Sequence, residues 1–190
     1  MDQPILKIFN GRIITPYRLI PNGTILIKDG VIDEVSDKNI EIENVIEIDA
    51  QGKYVTPGFI DIHVHGGGGH DFMDNNASAF LKIAETHAKY GTTAMAPTTL
   101  TCKKSELLQT LELYDQANKI NTSGAQFIGM HLEGPYLSMN QKGAQDGRYI
   151  RNPDPNEYKE ILVRSDSITR WSAAPELEGA LDFARYLKSK

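Results

Sequence analysis

The chain has 190 residues, 40% apolar and 24% charged, with a net charge of −5, which is ordinary for a globular protein with one good core or two small domains. Lys and Arg are scattered, so no basic stripe points to nucleic acid, and the longest apolar runs fall far short of the ~20 residues needed to span a bilayer. Met1-Asp-Gln-Pro4 is not a basic segment leading into an apolar one, so no secretory signal is predicted. The single cysteine, Cys102, excludes an intrachain disulfide and fits a reducing cytoplasm.

Residues 1–55 read as short strands. Ile5–Phe9 alternates, and Asn10-Gly11 is expected to turn the chain into Arg12–Ile14. Gly23–Lys28 leads through Asp29-Gly30 into Val31–Val35, a strong hairpin signal. Val45–Ile48 and Lys53–Val55 add two more pieces. So few strands make a small β module with too little core to be comfortable alone.

The pattern changes after Thr56-Pro57-Gly58. Phe59–His65 is an apolar strand stopped by four glycines, Gly66 to Gly69. A helix is expected over Ala77–Tyr90, with Phe80, Leu81, Ile83 and Ala84 at helical spacing and Gly91 ending it. Thr92–Ala96 is a second buried strand running into Pro97-Thr-Thr. Ser105 is a candidate cap for a helix over Glu106–Lys119. Gln126–Leu132 is a third strand, followed by a long loop from Glu133 to about Pro155 and a short helix over Asn156–Val163. Ile168–Ala174 is a fourth strand, and a last helix runs from near Leu177 to Lys190.

Strand and helix thus alternate four times, which argues for βα units and a parallel sheet. A complete (β/α)8 barrel takes about 250 residues. The 135 residues from 56 to 190 suit the first half of one, with residues 1–55 as a separate small domain. A flavodoxin-like open sheet is the structural alternative.

Residues i and i+2 of a strand share a face, roughly 6.5–7 Å apart along the chain. His63 and His65 therefore point the same way, and two imidazoles at that spacing can lean onto one metal ion. Asp61 shares the face one step earlier. The glycine run allows a sharp turn beside the pair and leaves room for a ligand. No Gly-Lys-Ser/Thr follows it, so it does not read as a phosphate-binding P-loop. Glu133 ends the third strand, where barrel enzymes place their chemistry. Its carboxylate can complete a His/His/carboxylate set or bridge two ions. His131, one step deeper, reads as a supporting or core histidine. In the loop beyond, Lys142-Gly-Ala-Gln145 offers accessible backbone amides and one side-chain amide, which suits a neutral polar ligand such as a sugar. His70, Asp71, Asp74, Asp146 and Arg148 read as surface or loop-structuring groups, His87 as structural and Trp171 as core.

Pro57-Gly-Phe-Ile-Asp-Ile-His-Val-His-Gly66, Gly91-Thr-Thr, Pro97-Thr, His131-Leu-Glu-Gly-Pro-Tyr136, Lys142-Gly-Ala-Gln145 and Ala174-Pro-Glu176 occur in that order. In these residues the chain resembles the N-acetylglucosamine-6-phosphate deacetylase family of the amidohydrolase superfamily, over its whole length but only for the first half of such an enzyme. The resemblance implies a TIM-barrel (β/α)8 fold beside a small β-sandwich built from both chain termini. It implies hydrolysis of an N-acetyl group on a small amino-sugar phosphate by a cytoplasmic enzyme, homodimeric when complete. Its cofactor would be one or two divalent metal ions per subunit, Zn or Fe, held by His63, His65 and Glu133. Ala144 and Gln145 match the positions that contact the sugar. The two later histidine ligands and the catalytic Asp fall beyond Lys190, so no catalytic residue is expected within this chain. Another N-acyl or cyclic-amide amidohydrolase, or a half-barrel without catalysis, are the alternatives.

Overall fold

A computed structural model describes residues 4–190; Met1–Gln3 of the signal-peptide reading lie outside the described residues. The chain divides into two compact units, Met1–Pro57 and Gly58–Lys190.

The first unit holds β1 (Ile5–Ile14), β2 (Leu19–Lys28), β3 (Val31–Ser36), β4 (Val45–Asp49) and β5 (Tyr54–Val55) in one sheet, ordered β3-β2-β1-β4, with β5 also paired to β1. β1 is antiparallel to β2 and parallel to β4 and β5. The hairpin expected at Asp29-Gly30 is present, with φ of 52° and 78° at the two residues, the left-handed pair that a two-residue hairpin of primed type demands. Asn10-Gly11 does not turn the chain. β1 passes straight through it, and the extra length is absorbed by register shifts on either side of Gly11. Asn10 sits at φ 55°, so the dipeptide that signals a turn here makes a bulge. The buried core is small: Ile13, Ile20 and Ile25, flanked by Ile8, Ile27 and Val55.

The second unit carries β6 (Phe59–Val64), β7 (Gly66–Gly67), β8 (His70–Asp71), α1 (Ala77–Lys89), β9 (Thr92–Pro97), α2 (Lys104–Ile120), β10 (Gln126–Phe127), β11 (Met130–Glu133), α3 (Pro155–Arg164), β12 (Ile168–Ser172) and α4 (Ala180–Lys188). β6, β9 and β10 pair in parallel, β11 pairs in parallel with β12, and a parallel bridge between Thr98 and His131 links the two sheets. The unit is a mixed α/β structure of small sheets whose long strands alternate with helices. Its core is aromatic and aliphatic. Phe72, Phe80, Ile83, Met95, Leu111, Tyr114, Phe127 and Leu132 lie within it, with Phe72 and Phe80 ring centroids 4.9 Å apart. A second cluster joins Tyr136, Tyr158 and Phe183, with Trp171 stacked on Tyr136 at 5.5 Å.

Four local expectations shift. The third strand is two pieces, β10 and β11, divided at Gly129. There φ is 115°, and a Cβ would lie 2.2 Å from the Thr169 side chain, so only glycine fits. The Tyr114 hydroxyl accepts the N–H of Gly129 across that break. α2 starts at Lys104, leaving Ser105 inside the helix, and the Glu106 carboxylate accepts the Lys103 N–H at 3.4 Å. α4 starts at Ala180 after a left-handed Gly179. The glycine run forms the β7–β8 ladder. Most of the space beside it is filled by the chain itself: a Cβ would lie 2.2 Å from the His70 carbonyl at Gly66, 2.8 Å from His87 at Gly67 and 2.3 Å from Thr86 at Gly68.

Candidate metal centre

β6 and the residue after it present His63 and His65, and β11 ends on Glu133. The imidazoles are 5.0 Å apart between centroids and nearly perpendicular, at 86°. Both turn Nε2 toward one carboxylate oxygen, Glu133 Oε2, at 3.6 Å from His63 and 3.1 Å from His65. Donor atoms of all three lie within 4.8 Å of one another. Donors bound at ~2.1 Å in a tetrahedral shell stand about 3.4 Å apart, a spacing that the two measured separations bracket.

The backbone orients one of the two rings. His65 Nδ1 faces the Thr98 carbonyl at 3.2 Å. A carbonyl only accepts, so Nδ1 carries a hydrogen there. On the other side of the ring, Nε2 faces the Glu133 carboxylate at 3.1 Å. The set is half-buried, accessible from solvent and uses donor types that suit Zn or Fe. Asp61 does not join it: its carboxylate accepts the His63 N–H at 3.0 Å and so holds the strand end.

Beneath the three lies a layer of hydroxyl groups and one histidine. Thr98 Oγ1 accepts the Val64 N–H at 3.1 Å and donates to the Ala96 carbonyl at 3.1 Å. It also lies 3.4 Å from His131 Nδ1. His131 is fully buried, its Nε2 is 2.7 Å from Ser172 Oγ, and its ring packs against His63 at 4.9 Å. Burial, reinforced by the charge of Arg170, pushes its pKa down to about 4, so it is neutral at pH 7 and serves as a polar strut. Thr99 Oγ1 accepts the Glu133 N–H at 3.3 Å. Gly134 follows at φ 86°, where a Cβ would meet Thr101 Oγ1 at 2.2 Å, and its carbonyl accepts the Trp171 indole N–H at 2.8 Å.

The loop residues divide. Ala144 is exposed. Gln145 is buried, and its side-chain oxygen accepts the Thr101 N–H at 2.7 Å. His70, in β8, pairs with Asp74, and Asp146 pairs with Arg148. His87 Nε2 meets the Gly66 carbonyl at 3.0 Å, bracing the glycine turn from α1. The supporting roles of Thr98, Thr99, Thr101 and Ser172 have no sequence signal beyond their place at or just after a strand end.

The amidohydrolase family matches residues 54–178. The chain belongs to the amidohydrolase family. Over 94% of its length it is 34% identical to an N-acetylgalactosamine-6-phosphate deacetylase of Escherichia coli O157:H7 and 33% identical to an N-acetylglucosamine-6-phosphate deacetylase of Bacillus subtilis. In structure, 97% of it overlays the N-acetylglucosamine-6-phosphate deacetylase of Pasteurella multocida with a TM-score of 0.88 at 27% identity, covering 48% of that chain. The Mycobacterium smegmatis N-acetyl-D-glucosamine-6-phosphate deacetylase D267A mutant, in complex with N-acetyl-D-glucosamine-6-phosphate, overlays 98% of it at 0.84 and 26%, covering 47% of that chain. The chain spans about half the length, 46%, of the two curated relatives. Among the described residues no helix is long and apolar enough to cross a membrane.

Proposed function

We propose that this chain forms the first half of a metal-dependent deacetylase that removes the N-acetyl group of a hexosamine 6-phosphate, N-acetylglucosamine-6-phosphate first among them, giving the free amino sugar and acetate. Residues 56–190 would be the first half of a (β/α)8 barrel, and residues 1–55 part of a small β-sandwich. The observation that carries the reading is the convergence of His63, His65 and Glu133 from two separate strand ends, within a segment that overlays half of a solved deacetylase at a TM-score of 0.88. The two curated relatives name different epimers of the sugar, so both belong in the test. A cytoplasmic, homodimeric protein is part of the same reading.

His63, His65 and Glu133 would hold the ion, one or two per complete subunit. When bound, a divalent cation polarises a carbonyl oxygen and lowers the pKa of water toward ~7. This chain's own part is positional. The Thr98 carbonyl orients the His65 ring, Thr99 holds the Glu133 backbone, and His131 keeps a neutral ring against His63. The exposed Gly143–Ala144 backbone would face the sugar.

The whole protein loaded with Zn²⁺ or Fe²⁺ is expected to release acetate from N-acetylglucosamine-6-phosphate, to lose that activity on chelation and to regain it when metal returns. The N-acetylgalactosamine-6-phosphate rate sets the epimer preference. Acetate release that survives exhaustive chelation overturns the reading.

A further inference from the structure

Among the described residues, one buried side-chain polar atom has no hydrogen-bond partner: Thr101 Oγ1. Thr101 is 5% exposed. A buried hydroxyl without a partner weakens folding, because nothing replaces the water it left. Valine has the same shape without that penalty, so the oxygen calls for an explanation outside the ligand-free fold. Its neighbours say of what kind. On one side lies Gly134, directly after Glu133, where an added Cβ would collide with the hydroxyl oxygen. On the other, the Thr101 N–H donates to the Gln145 side-chain oxygen at 2.7 Å. The Gln145 N–H₂ has no partner among the described residues and, unlike the hydroxyl, is open to solvent. The sealed hydroxyl therefore stands directly behind an open amide, at the strand end that carries a candidate metal ligand.

We propose that Thr101 is a further ligand-contacting residue: its hydroxyl donates to an oxygen of the bound amino-sugar phosphate once the Gln145 amide shifts to meet the same ligand. This rests on the reading of residues 142–145 as facing a hexosamine 6-phosphate. The empty protein is less stable for holding the hydroxyl unpaired, and the ligand binds more tightly for finding it there, a trade of stability against function. One hydrogen bond of this kind changes binding about tenfold.

Two readouts on the whole protein test this, using Thr101→Val, which keeps the shape and removes the hydroxyl, and Thr101→Ser, which keeps the hydroxyl. The first is the melting midpoint without metal or ligand. Thr101→Val is expected to melt about 2 °C above wild type. The second is calorimetric binding of glucosamine-6-phosphate to the metal-loaded protein, which needs no turnover. Thr101→Val is expected to bind about tenfold more weakly, and Thr101→Ser within about twofold of wild type. Stability and affinity then move in opposite directions, which a merely structural threonine does not produce. A midpoint that fails to rise in Thr101→Val overturns the proposal, because the hydroxyl then has a partner inside the ligand-free protein. Unchanged affinity in Thr101→Val, with wild type binding, overturns the contact and leaves the functional reading intact. If wild type neither binds glucosamine-6-phosphate nor releases acetate from N-acetylglucosamine-6-phosphate, the functional reading fails and the contact falls with it.

Discussion

The two units solve the problem of a core differently. In Gly58–Lys190 rings interlock: Phe80 lies 6.1 Å from Phe127 and 6.2 Å from Tyr114, and none of Phe72, Phe80, Ile83 or Met95 is exposed. In Met1–Pro57, among the described residues, only three isoleucines are buried together, β3 is exposed along nearly its whole length, and an apolar cavity of about 440 Å³ opens between Ile8, Ile14, Ile27, Ile32 and Val35. The contrast teaches where rigidity is concentrated. The second unit has a dense interior directly under its strand ends, so donors there can be held in place. The first has an apolar face that the described chain leaves uncovered.

The largest effect expected is functional and confined to the second unit. Glu133→Ala should weaken Zn²⁺ affinity, measured by calorimetry, by more than the 10–100-fold typical of losing a group that merely supports a ligand. The metal-free melting midpoint should barely move, because Glu133 is half-buried. Retained affinity would show that the three side chains share no ion. Next comes the interior. Phe80→Ala should cost about 3–5 kcal/mol in denaturant unfolding. Ile25→Ala, beside an open cavity, should cost about 2 kcal/mol, near the low end for such truncations. Equal costs would erase the distinction between the two cores.

A pH test follows. Burial raises the Cys102 thiol from 9.0 to about 11, with the Glu106 carboxylate adding to the shift. The folded state therefore holds that proton more tightly than the unfolded chain. The stabilisation is complete below pH 9 and is lost as pH rises through about 11, in total about 3 kcal/mol. Cys102→Ala should flatten that part of the stability curve relative to wild type, and parallel curves would show that the thiol is wet. The smallest change belongs to the first unit: Ile32→Ser on exposed β3 should alter stability by no more than about 0.5 kcal/mol. A loss above 2 kcal/mol would reveal that the exposed face is packed in solution.

Signals carried by near neighbours were readable from the chain. Asp29-Gly30 fixes its own hairpin, and alternation alone puts His63 and His65 on one side of β6. Asn10-Gly11 misleads because the same backbone angles serve a turn or a bulge, and pairing with β2 and β5 decides which. Gly129 breaks a strand that its neighbours favour, at φ 115° and with Thr169 too near for any Cβ, a neighbour that no local rule contains. The threonines after β9 were invisible for a related reason. Their partners Val64, Glu133 and Gln145 lie 34, 34 and 44 positions away in sequence, and neither the hydroxyls of Thr98 and Thr99 nor the backbone N–H of Thr101 gives a hint of which distant group it will meet. Gln145 showed its polarity but not its bond to Thr101.

Thr98 adds one more consequence. A single oxygen there serves the backbone of β6, the backbone of β9 and the ring of His131. Trading it for valine would keep the shape yet release three groups together, so its effects and those of its neighbours would not sum. Epistasis around His63, His65 and Glu133 should thus radiate from a residue outside that set.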